Sequence, residues 1–174
     1  MCAFRVLLAG VVIGPFLLAC SGCQTAPRQT PRSIDIPDVQ VLVTREILPT
    51  TFDRYKSVGF NRATTTLGGG ICPPMVIATY DRAASQVAQR LRDVFPGGLP
   101  RLTIDTDIHF VQKKGPLGTA QFLARVTAYD GGRIVVDTVV NVQTHSLREG
   151  IVYDLAEHAA AAVGNWLRAQ KTGK

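Results

Sequence analysis

Along residues 119–129 apolar and polar positions alternate. Ala120, Phe122, Ala124, Val126 and Ala128 fall on one side, and Gln121, Arg125 and Thr127 on the other. A period of two is the signature of a strand with one buried face. Asp130-Gly131-Gly132 predicts a tight hairpin, because glycine takes positive φ without steric cost. Residues 133–143 resume the rhythm with Ile134, Val136, Val140 and Val142 on one face. Residues 102–111 behave alike, with Leu102, Ile104, Ile108 and Phe110 opposite Thr103, Asp105, Asp107 and His109. Val39, Val41 and Val43 predict an earlier strand over 38–45.

The spacing then changes to that of helices. Tyr80, Ala83, Ala84, Val87, Leu91, Val94 and Phe95 share one side of a helix predicted over 79–95. Thr79 is its candidate N-cap, and Pro96-Gly97-Gly98 its stop. Ser146 and Glu149 match a capping box. Beyond them Ile151, Leu155, Ala159, Ala162, Val163 and Trp166 form the apolar stripe of a last helix, with 171–174 as a frayed tail. Residues 48–74 signal weakly. Tyr55, Val58 and Phe60 suggest a short strand, and Gly68-Gly69-Gly70 a plain turn. That glycine run lacks the lysine and hydroxyl residue of a phosphate-binding loop.

The expected fold is therefore α+β: an antiparallel four-stranded sheet with two helices packed on one face, in the order β-α-β-β-β-α. The uncovered face should be mostly polar. Leu123, Tyr129, Val135 and Val139 interrupt it, so either they gather as an apolar partner surface or the 46–78 segment folds over them.

The N-terminus has a different character. Arg5 precedes an apolar run over 6–18, broken by Gly10, Gly14 and Pro15. About 13 residues is short for a hydrocarbon core of roughly 30 Å, so a cleaved export signal is favoured over a permanent span. Leu17-Leu18-Ala19-Cys20 resembles the lipobox of bacterial lipoproteins. That resemblance implies cleavage before Cys20, residues 1–19 as signal, and acylation of Cys20 that anchors the chain to a membrane. Cys23 is a rival acceptor, although a cysteine three residues before it fits the pattern poorly; an ordinary cleaved signal is the remaining alternative. Ser21, in place of the aspartate that retains many such lipoproteins at the inner membrane, implies the periplasmic face of the outer membrane. Residues 20–37, with Pro27, Pro31 and Pro37, have little to bury and read as a tether. Residues 38–170 then form one periplasmic domain. Its element order is similar to that of periplasmic accessory lipoproteins of the LPS-assembly and transporter-auxiliary types, in topology alone.

Composition adds bounds. A hydrophobic content of 46% with 18% charged residues describes a globular chain. The net charge of +6 is spread along the sequence and reads as a solvated surface, with attraction to anionic lipid or cell-wall polymer as the alternative. Nucleic acid is not an expected partner of an exported chain. Once Cys2 leaves and Cys20 carries lipid, Cys23 and Cys72 remain as a candidate disulfide pair.

Candidate chemistry is sparse. His109, His145 and His158 lie in no metal-ligand spacing, no nucleophile elbow is present, and neither catalytic nor metal residues nor a cofactor are expected. Asp105, Asp107 and His109 form one polar row at roughly 7 Å intervals. The expectation is a non-catalytic binding or assembly accessory of an envelope complex, with an envelope protein as partner. The alternative is a periplasmic enzyme or a small-ligand or cation binder using the Asp105–Asp107–His109 face.

Overall fold

The computed structural model describes residues 37–46, 52–113, 119–145 and 151–173. The strands are β1 (Asp38–Glu46), β2 (Ser57–Phe60), β3 (Thr64–Thr65), β4 (Arg101–Gln112), β5 (Ala120–Asp130) and β6 (Arg133–Thr144). The helices are α1 (Pro74–Arg90) and α2 (Ile151–Thr172), and single 3-10 turns cover Phe52–Arg54 and Leu91–Asp93. The α+β class and the two helices agree with the sequence.

The sheet differs from expectation. Its order is β1-β6-β5-β4-β2, with β3 also on β4. The β1, β6, β5 and β4 pairings are antiparallel, but β2 and β3 join β4 in parallel, giving a mixed sheet of six strands in place of four antiparallel ones. A parallel pair needs a long crossover. Residues 61–100, including α1, supply it. The short strand suggested by Val58 and Phe60 is β2, which the four-strand count left out, while β3 is only two residues long and gave no signal.

One face of the sheet meets both helices. Tyr80 of α1 stacks on Phe122 of β5 at 6.0 Å between ring centroids, and its hydroxyl lies 2.9 Å from that of Thr106 on β4. α2 packs on β5, β6 and β1, bringing Leu155, Ala159, Val163 and Leu167 into the same buried cluster as Ile104, Val126 and Val140. Each large apolar side chain buried there contributes about 1.5–3 kcal/mol. Thr138, a buried hydroxyl on this side, donates to the Leu42 carbonyl at 2.8 Å.

The helices also depart from the predicted bounds. α1 begins at Pro74, not at Thr79, and Thr79 lies buried within it. Proline suits the first helical position, where the amide hydrogen it lacks has no partner in any case. α2 holds to Thr172, past the point where fraying was expected. Lys171 explains this: its ammonium donates to the carbonyls of Phe52, Asp53 and Tyr55 at 3.3, 2.6 and 2.9 Å. The capping box at Ser146 and Glu149 lies outside the described residues. The Gly68 carbonyl accepts from the amides of Ile71 and Cys72, a turn as expected. The hairpin is also as expected, with Gly131 and Gly132 at φ of 54° and 86°.

Candidate functional site

Two bulges decide which residues share the face away from the helices. The first lies between Ile108 and Phe110, the second opposite Ala128 and Tyr129. A bulge inserts one residue on one strand and so reverses the inward–outward parity beyond it. Phe110, expected on the core side, pairs with Leu123 and is 41% exposed, while Val111 takes the buried position opposite Phe122. Ile134, also expected inward, pairs with Tyr129. Val135 occupies the second bulge and is buried at 2% exposure, so the sequence reading that placed it on a partner face does not hold. Leu123, Tyr129 and Val139 do lie on the open face, each half-buried.

Because directly paired residues stand side by side, the register maps this face in rows. One row runs Leu42, Val139, Arg125, Asp107, Thr64 across five strands. Its neighbour on one side runs Gln40, Asn141, Leu123, Phe110. On the other side Asp137, Thr127 and Asp105 stand in line, followed by Ile134, Tyr129 and Thr103. A polar centre thus separates three apolar pairs: Phe110–Leu123, Leu42–Val139 and Ile134–Tyr129. Leu42 is 56% exposed.

The polar centre is internally bonded. Arg125 grips Asp137 with Nε to Oδ1 at 3.2 Å and Nη2 to Oδ2 at 2.5 Å. Thr127 donates its hydroxyl to the same carboxylate at 2.5 Å. Those bonds to Asp137, then its charge, raise the Arg125 pKa above the ordinary arginine value. Asn61 donates to Asp105 at 2.6 Å and Thr64 to Asp107 at 3.2 Å. His109 sits at the first bulge, with Nε2 3.5 Å from Asp107 Oδ2. The structure therefore brings Asp107 and His109 together, while Asp105 is turned to a different partner. Among the described residues no group of three or more His, Cys, Asp or Glu side chains is placed to hold a metal ion.

The other residues singled out from the sequence scatter. Cys20 and Cys23 lie outside the described residues. Cys72 is buried, and burial pushes its thiol pKa up despite a hydrogen bond with Thr65. The 46–78 segment does not fold over the open face within its described part; it builds the β2–β3 edge and enters α1. Sequence reasoning missed Leu42, Phe110, Ile134 and the Arg125–Asp137 pair. The signal for Leu42 was present, since it breaks the Val39, Val41, Val43 alternation; the rest depended on the bulges. No helix among the described residues is long and apolar enough to cross a membrane.

No protein-family description and no curated protein sequence matches this chain. Solved structures that resemble it include a leucine-to-methionine variant of the PelC dodecamer from Paraburkholderia phytofirmans, at 16% identity and a TM-score of 0.45. A second is the PelC dodecamer from the same organism, at 12% identity and a TM-score of 0.43. Each match covers 75% of this chain and 96% of the other.

Proposed function

We propose that this chain is a lipoprotein anchored through Cys20 at the periplasmic face of the outer membrane, where it serves an envelope complex as a non-catalytic binding or assembly accessory. The observation that carries the reading is the open sheet face. Both helices are spent on the opposite side, and this side presents three apolar pairs around a self-bonded polar centre. Its ion pair and hydrogen bonds are satisfied within the chain, which leaves the exposed edges of Phe110 and Leu42 as the surface that gains from contact with a partner. A lipid anchor and tether hold such a surface near other envelope components and raise its effective concentration there.

The test is a photo-crosslinking residue at Leu123 or Val139 in the tagged, full-length protein, followed by purification from its own membranes. One stoichiometric envelope protein, lost when the crosslinker is moved to Asn165 on α2, supports the reading. A folded, anchored protein that captures no reproducible partner from the open face overturns it. Anchoring is checked separately: Cys20→Ser should gain no acyl mass, and unchanged acylation would move the site to Cys23.

A second reading rests on Asp107 and His109 lying 3.5 Å apart beside Asp105. Under it the row serves a periplasmic enzyme or a binder of small ligands or cations. Replacing Asp105, Asp107 and His109 together should then abolish ligand binding or turnover. The accessory reading expects partner capture to survive that change.

A further inference from the structure

At the edge of the sheet, a groove of about 560 Å³ lies where β2 meets the C-terminal end of α1. Val58, Phe60, Ala88, Phe95 and Pro96 give it an apolar wall, while Arg92 and Arg101 supply two guanidinium groups. Its lining contains no carboxylate.

The charge is uncompensated for identifiable reasons. Arg54, Arg62, Arg82, Arg125 and Arg168 each meet an aspartate or glutamate. Arg92 and Arg101 meet none among the described residues. Asp93, next to Arg92, is turned to α2 and gripped there by both Nη atoms of Arg168. Asp130, near the start of β4, is held by Arg54 and Tyr55. The groove hydroxyls are already donors within the chain, Ser57 to the Gly98 carbonyl and Ser85 to the Asp81 carbonyl.

Arg101 lies close against β2. A Cβ built on Gly59 would overlap Arg101 Nη2 and lie 2.7 Å from Cζ. The guanidinium therefore rests directly over the β2 backbone, in space that only glycine leaves open. Next to the groove, Lys56 N donates to the Pro100 carbonyl and Gly97 N to the Lys56 carbonyl, both at 2.8 Å. A planar fork lying on a strand edge, in one groove with a second arginine and apolar side chains, suits the oxygens of a phosphate group attached to an apolar body.

We infer that the β2–α1 groove is a binding site for a phosphate ester, with Arg92 and Arg101 as its anion ligands and Gly59 as the residue that positions Arg101. The phosphate belongs either to a lipid headgroup or to a soluble organophosphate. The site shares no residue with the open-face pairs, so it stands or falls independently of the accessory role.

The full-length protein is titrated with glycerol phosphate by calorimetry and sedimented with phosphatidylglycerol vesicles against phosphatidylcholine vesicles. Binding in either format should weaken roughly tenfold or more in the R92Q/R101Q double variant, as expected for the loss of charged hydrogen bonds. Gly59→Ala should weaken it several-fold at an unchanged melting temperature, since the arginine head can swing aside while the strand stays paired. Lys113→Gln, at the far end of β4, should bind as the parent does. Selective binding to phosphatidylglycerol vesicles alone assigns the site to lipid, and binding of glycerol phosphate alone to soluble esters. Equal binding by the parent and the R92Q/R101Q variant in both formats overturns the inference. So does a loss of the same size in Lys113→Gln, which would reduce the effect to overall charge.

Discussion

Arg125 of β5 and Asp137 of β6 form a two-bond ion pair at 3.2 and 2.5 Å, in which the Asp137 side chain is 4% exposed and that of Arg125 51%. The pair is asymmetric: the acid is buried in the sheet face while the base reaches it from solvent. Removing the base takes the charged partner from a buried carboxylate that keeps its bond from Thr127, whereas removing the acid frees a hydrated guanidinium. Arg125→Met should therefore cost about 1–3 kcal/mol, toward the low end because half of the arginine is solvated. Chemical denaturation checks this, and the double variant with Asp137→Asn should be less destabilised than the sum of the two single changes.

Tyr80 is buried with its hydroxyl beside that of Thr106, and desolvation pushes its pKa up to about 12 from 10.0. The folded state thus keeps a proton that the unfolded chain releases. This contribution to stability is complete below about pH 10 and is lost as the pH rises toward 12. Tyr80→Phe should cost about 1 kcal/mol at neutral pH and flatten the alkaline arm of the stability curve. Melting temperatures of both proteins across pH 8–12 supply the test; parallel curves would remove Tyr80 from the cause.

Asp93 shows the opposite sign. Hydrogen bonds from Arg168, outweighing partial desolvation, lower its pKa below 3.8. The contribution is present above that ordinary value and lost as the pH falls through the lowered folded value. Asp93→Asn should be less stable than the parent at pH 7, and the difference should close on acidification below 3.8. A difference that persists into strong acid would assign the effect to packing.

Gly164 of α2 faces Val87 of α1, and a Cβ there would sit 2.5 Å from Val87 Cγ1. Alanine ordinarily stabilises a helix interior by up to about 1 kcal/mol over glycine. Here the clash should reverse that, with Gly164→Ala destabilising by about 1–3 kcal/mol. Val87→Ala removes the obstructing methyls, so thermal melts should show the double variant losing less than the two changes added together.

Long strands and helices were legible in the sequence because their periodicity extends over many residues. β4, β5, β6 and α2 fall where the alternation places them, and Asp130-Gly131-Gly132 marks the turn of the β5–β6 hairpin. Of the short strands, β2 was hinted at by Val58 and Phe60 but its place in the sheet was not, and the two residues of β3 carry no period; both pair along the edge of β4. The start of α1 was displaced for a related reason. Thr79 has the chemistry of a cap, but Pro74 already satisfies the first helical turn and Val76 finds a buried place.

What the sequence determined by itself was a one-sided sheet with two amphipathic helices to cover it, because alternation and helical stripes are properties of each segment alone. What only tertiary structure decided was the identity of the uncovered surface and of the β2–α1 groove. An unbulged hairpin continued from the pairing of Asp130 with Arg133 would set Asp137 opposite Val126, whereas the slip of one residue sets it opposite Thr127, within reach of Arg125. The same slip buries Val135, and its counterpart in β4 brings Phe110 out beside Leu123. A bulge is selected by how two strands and the layer beneath them pack together, so one segment's pattern cannot encode it. The groove obeys the same logic, since Gly59, Arg92 and Arg101 become neighbours only after α1 has crossed from one parallel strand to the next.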